Sequence, residues 1–181
     1  MLYRFQLTLY ILYYHLIVTG KQIKDNFLEK EELKVITDNV SKIDYQAMIN
    51  KDGNYGFRHA FPQDNKNKWL FEKIKKQFFP NINLEIALSS YHWRHNKDKV
   101  MAHTDSERDF NFILYLKGEE LIYNGTGFYY KNNLNTYIGF VENRAIFFDG
   151  KNNLHTNLQA LGPSSGRHTI NIFYNYGKKN I

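Results

Sequence analysis

The chain has 181 residues, no cysteine, 43% hydrophobic and 17% aromatic residues, and a formal net charge of +6. The missing thiols exclude a disulfide framework, a thiolate metal site and a cysteine nucleophile. The apolar share excludes wholesale disorder, and the lysines are dispersed among asparagines rather than gathered on one stripe, so nucleic acid is not an expected partner.

Residues 1–21 carry an apolar stretch behind Arg4. Gln6, Thr8, Tyr10, Tyr13, Tyr14 and His15 interrupt it and no small-residue cleavage site follows, whereas a spanning helix needs about 20 mostly apolar residues. Phe5, Leu7, Leu9 and Ile11 alternate as a strand does. The segment therefore reads as an N-terminal extension or extra strand, with a signal or anchor as the alternative. No membrane partner is expected, and the expected compartment is the cytoplasm. Residues 22–181 read as one domain.

Phe27, Leu28, Leu33, Ile36 and Val40 recur at roughly helical spacing, and Glu29, Glu31 and Glu32 stand where a helix dipole favours negative charge. This predicts a helix over about residues 29–42. Residues 43–66 are polar and contain glycine, which predicts a long loop. Leu70, Phe71, Ile74, Phe78 and Phe79 predict a second amphipathic helix, ended by Pro80. Both helices are expected on one face of a sheet.

After Pro80 the period changes to two. Strands are predicted around residues 82–93, 110–116, 126–130, 136–141, 144–148, 154–160 and 167–174, separated by short polar turns such as KGEE, KNNLN and DGKNN. Consecutive short strands without intervening helices predict a mainly β protein with flanking helices: a double-stranded β-helix, or jelly roll, with the N-terminal helices packed on one sheet. The Cys-Trp-Cys framework of an immunoglobulin-type sandwich is lacking.

His103 and Asp105 are one residue apart in MAHTDSERDF, and positions i and i+2 of an extended segment share a face. With His155, far downstream in DGKNNLHTN, they make the two imidazoles and one carboxylate that bind iron on one side and leave the other open. Arg167 and Thr169 share the face of a later strand, and a guanidinium with a neighbouring hydroxyl suits a carboxylate. Taken singly, a histidine at a strand end is an ordinary half-exposed residue, and an arginine is an ordinary surface partner for an acid.

The ordered set His103-x-Asp105, His155, Arg167-x-Thr169 resembles the iron(II)- and 2-oxoglutarate-dependent dioxygenases, whose pattern is H-x-D, a distal H, and R-x-S or R-x-T. HTDSERDFNFILYL, NGTGFYY, NRAIFFDGKNNLHTN and IKDNFLEKEEL look like segments of the prolyl-4-hydroxylase-like branch. The resemblance runs from about Gln22 to the C-terminus and implies a single jelly-roll oxygenase domain. It implies Fe(II) held by His103, Asp105 and His155, and 2-oxoglutarate as co-substrate, with its far carboxylate on Arg167 assisted by Thr169. Ascorbate is the implied supportive reductant. Tyr115 matches a tyrosine that in some members donates to the same carboxylate; its other reading is a core aromatic. Tyr91 and Trp93 stand where relatives carry another co-substrate tyrosine; either fills that role, or both line the barrel.

Some positions depart from the pattern. Collagen-type and plant prolyl hydroxylases usually carry Lys where this chain has Arg167, and the glycine that commonly follows the first strand is lacking. Asp105 in place of Gly or Ala argues against the halogenase variant. The implied reaction oxidises 2-oxoglutarate to succinate and carbon dioxide and hydroxylates a peptidyl or amino-acid substrate. Residues 44–67 are expected to overhang the opening, where Tyr45, Tyr55 and Phe57 would contact a peptide or small molecule. Two alternatives stay open: another cupin-like metal enzyme, in which Arg167 is idle, and a non-enzymatic jelly roll that binds carbohydrate through Trp93 and Tyr123.

Overall fold

The structure, a computed structural model, describes residues 20–51, 53–99, 101–121, 124–157 and 166–177. Tyr123, the expected strand or anchor within residues 1–19, and the last three residues of the expected strand 154–160 lie outside them.

The elements run β1 (Lys21–Lys24), α1 (Lys30–Val40), β2 (Gln46–Asn50), β3 (Gly53–Ala60), α2 (Lys68–Phe78), β4 (Leu84–Arg94), β5 (Phe110–Gly118), β6 (Thr126–Tyr130), β7 (Asn133–Ile138), β8 (Ala145–Asp149), β9 (Leu154–Asn157) and β10 (Arg167–Tyr176). The larger sheet has the order β1-β8-β5-β10-β4-β3-β2, all antiparallel, and the smaller β7-β6-β9. A lone bridge between His103 and His155 extends the smaller sheet by one position. From β5 onward the chain passes back and forth between two antiparallel sheets, β5, β8 and β10 in the larger and β6, β7 and β9 in the smaller, which makes the double-stranded β-helix, with the helices on the outer face of the larger sheet. No helix among the described residues is long and apolar enough to cross a membrane.

Strand parity divides the core in two. Phe110, Phe112, Leu114, Phe147, Ile170 and Ile172 face the helices and pack with Ile36, Val40, Leu70, Ile74 and Phe78. Ile113, Tyr115, Ile146 and Phe148 face inward and meet Phe128, Ile138 and Phe140. Helix α2 has no side-chain hydrogen bond at its N-cap, Asn67. Burying an aliphatic or aromatic side chain contributes about 1.5–3 kcal/mol against about 1 kcal/mol for a cap, so Leu70, Ile74 and Phe78 hold the helix in place. Glu32 joins the two helices: its carboxylate accepts the Glu29 backbone N–H at 2.8 Å and pairs with Lys73 Nζ at 2.5 Å.

Three details differ from the sequence expectation. Residues 43–66 hold the β2–β3 hairpin rather than a loop. Its side chains are mostly half-exposed or exposed, so no apolar alternation marks it, and Gly53 and Gly56 sit at φ +129° and +109°. Strand β7 begins at Asn133, three residues before the expected start, because Lys131 and Asn132 alone make the turn at φ 47° and 66°. Strand β4 carries an irregularity: Phe173 pairs with Leu88 and Tyr174 with Ile86, leaving Ala87 unpaired. That bulge reverses which residues of β4 face inward.

Candidate metal centre

His103, Asp105 and His155 converge. Ligand atoms of the three lie within 4.8 Å of one another. Nε2 of His155 is 3.3 Å from Asp105 Oδ2, and Nε2 of His103 is 3.8 Å from Asp105 Oδ1. The fold sets this geometry through its backbone: His103 and His155 exchange both N–H···O bonds at 2.9 Å, and the Asp105 N–H donates to the Gly150 carbonyl at 2.9 Å. Residues remote in sequence are thus held by the main chain of strand ends rather than by their side chains.

The protonation state suits a cation. Nδ1 of His103 donates to the Met101 carbonyl and Nδ1 of His155 to the Asn153 carbonyl, each at 2.9 Å. Since a carbonyl only accepts, the proton sits on Nδ1 in both rings and the Nε2 lone pairs point toward Asp105. Burial, followed by the charge of His155, draws the His103 pKa down. Burial pushes the Asp105 carboxyl up, yet the hydrogen bond and charge that His155 offers when its ring is protonated, with the Asn111 amide and a protonated His103, outweigh it and hold the group below its ordinary value. A neutral ring beside an ionised carboxylate is the form a divalent metal requires.

Asn111, on β5, donates its amide to Asp105 Oδ2 and fixes the carboxylate. Gly150 makes room for it: a Cβ there would stand 2.7 Å from Asn111 Oδ1 and 2.9 Å from its Cγ. Any larger residue at 150 would therefore push Asn111 off the carboxylate.

Arg167, 5% exposed, lines the same pocket. Its guanidinium donates to the Asn124 carbonyl at 2.7 Å and lies 5.0 Å over the Tyr115 ring, but buried Nε has no hydrogen-bond partner and no carboxylate among the described residues forms an ion pair with it. Burial draws its pKa down, opposed by Tyr115 and Tyr137. A buried guanidinium with an unsatisfied donor is costly unless an anion joins it. One pocket thus brings together three donor atoms able to hold a metal ion and a guanidinium able to receive an anion.

The other expected residues divide. Thr169 lines the pocket, but its hydroxyl donates to Asn171 Oδ1 at 2.6 Å. Tyr115 is fully buried beneath Arg167, and its hydroxyl bonds Thr126 Oγ1 at 2.8 Å. It supports the cation and does not line the pocket. Tyr91 and Trp93 are corrections: beyond the Ala87 bulge, odd positions of β4 face away from the metal centre. Tyr91 packs edge-on against Phe61 at 5.0 Å, and Trp93 stacks on His168 at 5.9 Å. Their neighbours His92 and Arg94 line the pocket instead. Tyr45 and Phe57 also pack on Trp93, at 6.0 and 4.9 Å, so these two do not overhang the opening.

The Trp93 stack yields a pH effect. Burial, then Lys117, lowers the His168 pKa to about 4, while Nδ1 shares a 3.0 Å hydrogen bond with the Tyr45 hydroxyl. An unfolded histidine titrates near 6.5, so below that pH the unfolded chain binds a proton the folded one refuses, and stability is lost as pH falls from about 6.5 toward 4. Partial solvation of the ring limits the loss to ~1–2 kcal/mol. Urea unfolding of wild type and His168→Gln at pH 7 and pH 5 checks this: the variant should lose less stability than wild type.

No protein-family model matches the sequence, and no curated protein matches it. Solved structures do. The chain is similar to a prolyl-4-hydroxylase of Pseudomonas putida, with TM-score 0.64, 10% identity, and 91% of this chain and 96% of that one covered. It is similar to a prolyl hydroxylase of Trichoplax adhaerens in complex with a peptide fragment of the hypoxia inducible factor oxygen degradation domain: TM-score 0.66, 13% identity, 88% and 85% covered. A third is the epimerase SnoN in complex with Fe3+, alpha ketoglutarate and nogalamycin RO, at TM-score 0.68, 10% identity, 97% and 88% covered. With its sheets, helices and strand order in place over nearly the whole described chain, this protein has the fold of the 2-oxoglutarate and iron(II) oxygenases, among them the prolyl 4-hydroxylases.

Proposed function

We propose that the protein is an Fe(II)- and 2-oxoglutarate-dependent oxygenase that hydroxylates a peptidyl or amino-acid substrate. The carrying observation is that a three-donor face and a buried, incompletely bonded guanidinium share one pocket in a jelly roll. His103, Asp105 and His155 would hold the iron, which when bound supplies dioxygen activation coupled to conversion of 2-oxoglutarate to succinate and carbon dioxide.

The chain's own residues do the rest. The Met101 and Asn153 carbonyls keep both imidazoles in the ligating tautomer, and Asn111 keeps Asp105 turned toward them. Arg167 pairs with the far carboxylate of 2-oxoglutarate, its guanidinium held over the Tyr115 ring while the unbonded Nε–H waits for the acceptor. Ile113 and Phe173 furnish apolar wall in an otherwise polar pocket. A groove of about 290 Å³ runs outward past Leu88, Thr104 and Arg108, sharing Asp105 and Phe173 with the pocket. It gives a substrate longer than a metabolite somewhere to lie, and the Trichoplax protein is one that forms a complex with a peptide.

The cupin-like alternative leaves Arg167 with no task, and the carbohydrate alternative is opposed by the packing of Trp93 against His168 and Phe57. The test is succinate formation by purified protein with Fe(II), ascorbate and 2-oxoglutarate. Wild type should release succinate without added substrate and His103→Ala none; no succinate from wild type, or equal amounts from both, overturns the reading.

A further inference from the structure

Counted from Leu84 and Ile86, which pack with the helices, period two would put Leu88 among them. The Ala87 bulge turns it over instead. Leu88 pairs with Phe173, which lines the metal pocket, while Ile86 pairs with the buried Tyr174 of the helix-facing core. Leu88 is left 38% exposed on the inward face. The bulge thus moves an aliphatic side chain out of a core that would cover it and sets it beside a metal-ligand residue. Folding forfeits apolar burial by this, and bulges next to active sites serve to re-aim a side chain.

The groove in which Leu88 stands is continuous with the metal pocket. Leu88 and Phe173 are its apolar part, and both Phe173 and Asp105 belong to the pocket as well. The rest of the lining is the turn from Thr104 to Arg108. That turn is closed by the Arg108 N–H, which donates to the Asp105 carbonyl at 2.8 Å, and tied to β10 by the Asp109 N–H, which donates to the Tyr174 carbonyl at 3.0 Å. One short segment therefore supplies a metal-ligand residue and the groove lining together, so a chain lying on Leu88 is held next to the metal donors.

Charge decides what kind of chain fits. Apart from Asp105, whose charge a metal would take, the groove carries Glu107 and Arg108, one charge of each sign in adjacent residues, and the hydroxyls of Thr104 and Ser106. The two charges leave no net attraction for an ionic side chain, and Glu107 is exposed and Arg108 half-exposed, where ion pairs contribute little. A free amino acid brings two full charges that such a rim holds weakly. A peptide brings amides, which the two hydroxyls can bond, and an uncharged side chain, which Leu88 and Phe173 can cover. Resting on the oxygenase reading above, we propose that the substrate is a peptide that presents an aliphatic residue to the metal, and that Leu88 selects that residue.

The experiment uses full-length protein loaded with Mn(II) and saturated with 2-oxoglutarate. The probes are the N-acetyl methylamides of leucine, serine, glutamate and lysine, together with free leucine, and binding is read from relaxation of their protons by the manganese. The leucine amide should bind about tenfold or more tighter than every other probe, with its δ-methyl protons relaxed faster than its acetyl protons. Leu88→Ser should weaken that binding about tenfold, and Leu88→Met, which conserves volume, should retain most of it. Both variants should keep Mn(II) and 2-oxoglutarate affinity within about twofold, which also reports that they fold. Another amide or free leucine binding as tightly as the leucine amide overturns the assignment. Leucine-amide binding unchanged in Leu88→Ser does so too, as does loss of 2-oxoglutarate binding in that variant. A wild type that takes 2-oxoglutarate but none of the amides refutes this inference alone; one that takes no 2-oxoglutarate refutes the oxygenase reading with it.

Discussion

His155→Ala should lower Mn(II) or Co(II) affinity by more than about 100-fold, since loss of a residue that merely orients a ligand already costs 10- to 100-fold. The reason lies in how the three donors are tied. His155 contributes its Nε2, lies 3.3 Å from Asp105, and sits in the backbone bridge with His103. The bridge uses main-chain atoms, so alanine keeps the scaffold and removes only the donor. Titration calorimetry measures the affinity. Thermal denaturation gives a second reading: metal at about 100 times its dissociation constant stabilises wild type by about 2.7 kcal/mol, or roughly 5–10 °C at this size. The variant should show no such rise at the same metal concentration.

Arg167→Met should behave oppositely in two assays. Truncating one side of a buried charge pair costs about 2–5 kcal/mol, so 2-oxoglutarate affinity in the Mn(II)-loaded protein should fall about 30- to 5000-fold. Without ligand the same change removes a buried cation that no carboxylate among the described residues pairs with, together with one unsatisfied N–H. Replacing an uncompensated buried charge with an apolar chain of similar volume is often stabilising by about 1–4 kcal/mol. The lost Asn124 hydrogen bond and Tyr115 contact offset part of that. The Arg167→Met protein should therefore melt at or above the wild-type temperature while failing to bind the co-substrate. A variant that melts several degrees lower would make Arg167 a structural residue and deny it the anchoring role.

The parts of the site readable in the sequence are those whose chemistry permits few residue types. Two imidazoles and a carboxylate at a strand end, followed by an arginine two residues before a threonine, stand out because metal coordination and carboxylate binding admit little substitution. Tyr91 and Trp93 were misplaced for a different reason. Their shared face follows from period two, but which face that is depends on the Ala87 bulge, and the bulge exists only once β4 is paired with β10. A local pattern holds no record of that pairing. Arg94 was hidden by the same reversal. Hairpin β2–β3 was missed because it buries little: Ile49 is 72% exposed, and exposed strands need no hydrophobic alternation. Asn111 shares the inward face of its strand with Tyr115, but its hold on Asp105 requires Gly150, a residue 39 positions away in the chain.

The two imidazoles meet solvent unequally: the His103 side chain is 42% exposed and that of His155 8%. Ion exchange therefore has a direction. With an ion on the three donors, a chelator would meet the outer ring first, while the inner ring and carboxylate still held the ion, so release would be stepwise. A metal held by these three donors would therefore be reached from the side of the more exposed ring.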